Sequence, residues 1–173
     1  MTSSKISDCW FRIIFIIPSI LMFSVSPELK AQEPPPRPIR IDATVQGLSF
    51  GAFYHGAAGG TITITPASAR SSTGDVVLLG LGYPFSAALF QVHASPGTVI
   101  AILNSPDVPI FGVPSGSMNL HIGSSNPTSP FVTTVPYIVA IPLYIGGILT
   151  VGSSAANPPG SYTGTFNITL VRE

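Results

Sequence analysis

Cysteine is almost missing from this chain: Cys9 is the only one, and it precedes the apolar run near the N-terminus. A lipid-anchoring signal would place its cysteine just after such a run, so lipidation is not expected. Beyond Ala31 there is no thiol, which excludes a disulfide framework and a thiolate metal site there. Lysine is as scarce, with Lys5 and Lys30 both falling before that point. Charge of either sign is thin. From residue 32 onward only Arg37, Arg40, Arg70 and Arg172 stand against Glu33, Asp42, Asp75, Asp107 and Glu173. That excludes a basic stripe for nucleic acid and a polybasic patch for anionic lipid. It also makes a poor solubilising coat. The surface must be covered by Ser, Thr, Asn and Gly, or by neighbours.

What is present begins with an address. Lys5 and Arg12 give a positive start, residues 13–26 are apolar, and Leu29-Lys30-Ala31 ends in a small residue. This three-part pattern predicts a secretory signal over residues 1–31. An uncleaved anchor is the competing reading, but a spanning helix needs about 20 apolar residues. This run is shorter and carries Pro18. Cleavage would leave a chain with no stable membrane span and place it in the periplasm, on the outer surface or outside the cell. Residues 32–40, with Pro34, Pro35, Pro36 and Pro38, predict an extended leader, because proline fixes the backbone and lacks its amide donor. Residues 41–173 then have the length of one domain.

From Ile39 the chain reads as strands. Ile39, Ile41, Ala43 and Val45 alternate with polar residues, and Thr61-Ile62-Thr63-Ile64-Thr65 alternates up to Pro66. Residues 71–75, Ser-Ser-Thr-Gly-Asp, predict a turn before a strand at 76–79. Further strands are expected at 88–94, 98–103, 118–122, 131–135 and 162–171. The run 138–151 reads as a core strand that bends at Gly146-Gly147 rather than as a membrane span. Gly and Pro clusters separate these segments at the spacing of a sandwich or barrel, and no window has a capped helical period. The fold class is all-β.

Four segments carry a resemblance: Leu48-Ser49-Phe50-Gly51-Ala52-Phe53, the stretch from Gly59 to Pro66, that from Arg70 through Gly74 to Gly80, and that from Pro159 to Leu170. In order and spacing they resemble a family of bacterial secreted domains of unknown function. Its closing strand is similar to those of fimbrial subunits and spore-coat-type, pilin-like domains. The resemblance runs from Thr44 to Val171. It implies an immunoglobulin-like, pilin-like β-sandwich with a surface or fimbria-like role, and it carries no catalytic residues.

Each chemical motif meets a plainer reading. Gly47-Leu48-Ser49-Phe50-Gly51 matches the G-x-S-x-G of a hydrolase nucleophile, which needs a sharp turn from strand into helix. Here the following residues, 52–60, do not read as a helix. A strand end with Leu48 and Phe50 packed is expected instead. His55, His93 and His121 are isolated in three segments, whereas zinc needs three or four ligands held close. His93 and His121 are expected to face outward from strands, and His55 to lie in a glycine-rich loop. Asp42, Asp75 and Asp107 show neither a glycosidase pair nor a calcium loop. Arg70 and Asp75 are expected to face each other across a hairpin. Asn167-Ile168-Thr169 fits a glycosylation sequon inside a predicted strand.

No catalytic, cofactor or metal site is therefore expected, and the chain is not expected to be an enzyme. The expected function is that of a secreted, non-catalytic structural protein of the cell surface, a fimbrial or coat-like subunit or accessory. It would join copies of itself or other surface subunits by β-strand addition, Ile39, Ile41, Ala43 and Val45 having the alternation of a donated strand or of one paired in its own domain. The alternative is a secreted binding module for a surface glycan or protein ligand, using loop aromatics among Phe53, Tyr54, Tyr83, Phe85 and Phe111.

Overall fold

A computed structural model describes residues 37–103 and 105–173. The expected signal and the first half of the expected leader lie outside the described residues. Strands run in chain order as β1 (Arg40–Ala43), β2 (Ser49–Phe50), β3 (Phe53–Ile64), β4 (Arg70–Leu78), β5 (Phe85–Ser86), β6 (Ala88–His93) and β7 (Val99–Leu103). They continue as β8 (Val108–Val113), β9 (Ser117–Asn126), β10 (Phe131–Val132), β11 (Ile141–Val151), β12 (Ser161–Thr163) and β13 (Thr169–Arg172). The described residues contain no helix. The architecture is all-β, with curled sheets consistent with a sandwich.

The large sheet runs β1-β6-β11-β9-β8-β12, and β3 and β4 branch from it. β11 is its hub. One edge of β11 pairs with β9; the other is shared, residues 141–145 pairing with β6 and residues 147–151 with β3. The change of partner falls at Gly146, where any Cβ would collide with the Ile64 carbonyl oxygen at the end of β3. Glycine is needed there because the backbone of another strand occupies the side-chain position. The predicted bend at Gly146-Gly147 is thus a fork in the sheet. Opposite the fork the register with β9 slips between Ile145 and Gly147.

A second sheet, β10-β7-β13, supplies Ile100 and Phe131 to the same core that receives Leu120, Leu143, Ile145 and Leu149 from the large sheet. β9 shows the period most cleanly. Met118, Leu120 and Ile122 are buried while Ser117, Asn119 and His121 are exposed, as a strand with one wet face requires.

Several expectations change. Residues 71–75 are not a turn but lie within β4; the turn is at 65–69, closed by the Thr65 amide on Ala69 O at 2.9 Å. Gly74, at φ 67°, sits where the β3–β4 register shifts, and residues 56–59 bulge opposite Asp75. Turn and bulge draw on the same residues, because both need a positive φ. Arg70 and Asp75 do not face each other: Arg70 binds carbonyls, and Asp75 Oδ2 accepts from the Ala58 amide at 3.4 Å. The expected strand 162–171 is two strands in different sheets, β12 and β13, and the sequon asparagine, Asn167, lies between them. β8 was not foreseen, its alternation being broken by Pro109 and Gly112. β1 pairs with β6 of its own domain, and Val45 is fully exposed rather than continuing the buried face.

Candidate functional site

A groove of about 1080 Å³ opens beside the large sheet, at the upper end of the roughly 300–1,000 Å³ usual for ligand sites. Its floor is core: Ala88, Phe90, Ile110, Met118, Leu120 and Leu149. Its walls are two continuous stretches of chain, residues 46–55 and residues 157–166. In an extended strand successive side chains point to opposite faces. Successive residues of both walls border the groove, and the first wall is itself paired, residues 49–50 with β5 and residues 53–55 with β4. β12, inside the second wall, pairs only with β8, and residues 164–166 make no backbone hydrogen bond to another segment among the described residues.

The ends of the groove are tied. At one end the His55 ring meets Asn157 O at 3.0 Å; a carbonyl only accepts, so Nε2 carries the proton and donates. His55 Nδ1 is left buried without a partner among the described residues. At the other end Phe90 and Phe166 stack edge to face, 6.2 Å between centroids. Asn157, 1 % exposed, anchors the second wall. Its Nδ2 donates to Ser117 O at 2.6 Å, and its Oδ1 accepts from the Gly152 amide at 2.5 Å. Tyr162 adds a bond from its hydroxyl to Pro158 O at 2.7 Å. Among the described residues no Asp, Glu, Lys or Arg lines the groove. Charged ligands would find no counter-charge there, and burying an unpaired charge is costly.

The motif residues fall into place around this groove. Leu48 and Phe50 pack against the core, and no helix follows β2. The Ser49 hydroxyl donates to Pro84 O at 2.7 Å, not to a histidine. Tyr54, Tyr83, Phe85 and Phe111 are exposed, whereas Phe53 is half-buried against the core. Tyr54 and Tyr83 both stand on the groove, at 61 % and 66 % exposure.

The structure separates the histidines. His121 is exposed, its Nδ1 2.7 Å from Asp107 Oδ1, and Asn119 Nδ2 donates to the other carboxylate oxygen at 3.0 Å. His93 does not face outward. It is 8 % exposed, with Nδ1 3.0 Å from Tyr137 O and Nε2 3.5 Å from Asp42 Oδ2. His55 belongs to β3 rather than to a loop. Among the described residues no three His, Cys, Asp or Glu side chains gather to hold a metal ion, and no helix is long and apolar enough to cross a membrane. Sequence reasoning missed Asn157, which sits in no motif, and gave Arg70 the wrong partner, Asp75; both act through main-chain groups of other segments.

Fold and groove define a class first: a charge-poor, all-β domain with an apolar-floored groove beside its large sheet. The chain belongs to the family described as a domain of unknown function, DUF4402, which residues 39–171 match. No curated protein and no solved structure matches it. The resemblance drawn from its four segments to a domain-of-unknown-function family is borne out.

Proposed function

We propose that this chain is a secreted, non-catalytic structural protein of the bacterial cell surface, a fimbrial or coat-like subunit or accessory. Its sandwich is of the immunoglobulin-like, pilin-like type. The groove receives an extended segment from a neighbouring subunit. One observation carries this reading: residues 164–166 make no backbone hydrogen bond to another segment among the described residues, and they border a groove with an apolar floor. A strand laid along that free edge would pair with its main chain and seat alternate side chains on Ile110, Met118, Leu120 and Leu149, the recognition mode of strand addition. Apolar area covered in this way stabilises by about 25 cal/mol per Å². The export pattern of residues 1–31 and the lack of surface charge agree with a protein that works outside the cell, packed against others.

Light scattering on the purified full chain over a concentration series tests the proposal. Growth into linear oligomers, suppressed by Thr165→Pro, which removes an amide from the free segment 164–166, is the expected result. A folded protein that stays monomeric at every concentration, and takes up no strand from a co-purified surface subunit, contradicts it.

Tyr54 and Tyr83 favour a second reading, a binding module for an uncharged glycan, because exposed aromatic faces beside hydroxyl-bearing walls are what sugars stack on. A glycan array probed with the wild type and with Tyr54→Ala/Tyr83→Ala decides it. Binding that the double variant abolishes supports this reading, and an empty array removes it.

A further inference from the structure

We infer that Arg70 is the positioning residue of the groove: from behind the first wall, its guanidinium fixes residues 50–52 beside the end of β4, where they line the groove. The inference rests on the strand-accepting reading of the groove. Arg70 Nη1 donates to Phe50 O at 2.9 Å and Ala52 O at 3.2 Å, and Nη2 donates to Leu79 O at 3.2 Å. The guanidinium carbon lies 4.4 Å from the centre of the Phe85 ring. One side chain thus gathers the wall, the end of β4 and the two-residue strand β5 that pairs with β2. Arg70 does not line the groove, so the carbonyls it takes are drawn away from it.

Arg70 forms no ion pair among the described residues. A half-buried cation held by neutral carbonyls and one ring face gives up water without meeting a counter-charge. An apolar side chain cannot collect three carbonyls in a fixed plane. Lysine cannot either, since it offers a point charge where arginine offers a rigid fork. Gly51 is shaped to the same purpose. It has φ 67°, and a Cβ there would sit 2.6 Å from Arg70 Nη1. The second glycine of the G-x-S-x-G match therefore admits a guanidinium, with no part in an oxyanion hole.

The test is hydrogen exchange on the full chain and on Arg70→Lys, alongside titration with a fluorescent, uncharged synthetic peptide of alternating valine and threonine. In Arg70→Lys, amides of residues 47–55 are expected to exchange about tenfold faster, while β9 and β11 keep their protection. Affinity for the peptide is expected to fall by about tenfold, the worth of one or two hydrogen bonds to a charged group. Arg70→Gln should reproduce both changes. Unchanged exchange at 47–55, or equal loss of protection across β9 and β11, overturns the inference. A wild type that ignores the peptide, combined with a variant loosened only at 47–55, upholds Arg70 as the wall's anchor and counts against strand acceptance.

Discussion

Asn157 and Asp107 show how burial, more than residue type, decides what a polar side chain does. Asn157 is sealed in, and its amide satisfies Ser117 O and the Gly152 amide. Asn157→Ala would leave both groups buried without partners, and should cost about 2–4 kcal/mol in urea unfolding. Asp107, half-exposed, holds His121 and Asn119 at the surface. Asp107→Asn should change stability by less than about 1 kcal/mol by the same measurement. Residue pattern could not rank these two. His93 and His121 make the same point, since each sits in an alternating strand and reads as outward-facing. His121 is outward. His93 lies at the end of β6, where β1 and the segment carrying Tyr137 cover it, and period says nothing of what later segments fold over a strand's end.

Elements were legible where alternation was unbroken. β9 and residues 61–64 of β3 follow the apolar period, because one face of each must reach the core. β6, β7 and β11 read as strands from their apolar runs, whereas the first half of β3 reads as a glycine-rich loop. Elements were misread where glycine or proline serves two purposes. Gly74 reads as a turn and is a bulge; Pro109 and Gly112 hide β8; Gly164 ends β12 within what reads as one closing strand. Gly146 reads correctly as a bend, yet only the structure shows that the bend lets two strands share one edge of β11. Gly146→Ala puts a methyl into the Ile64 carbonyl and must push β3 away. The expected loss is about 2–4 kcal/mol by thermal or urea unfolding, as for an overpacked core position. Gly80 has open space around it, so Gly80→Ala should change stability by no more than about 0.5 kcal/mol.

At the scale of the whole molecule, the sequence tells of an all-β domain poor in charge, without cysteine beyond the expected signal. It does not tell of the groove. That site joins residues 46–55 to residues 157–166, about a hundred positions apart, and no local pattern encodes such an apposition. The signal that was available is indirect: a closing segment, Gly160 to Phe166, with too few large apolar residues to be buried on both faces. The account's central claim is that this segment's edge is left free for a neighbour's strand. Hydrogen exchange at residues 164–166, followed from dilute to concentrated protein, tests that claim most directly. Fast exchange in dilute solution that becomes protected as oligomers form is the predicted result. Exchange at those amides that is the same at every concentration, in a chain that does associate, would contradict it.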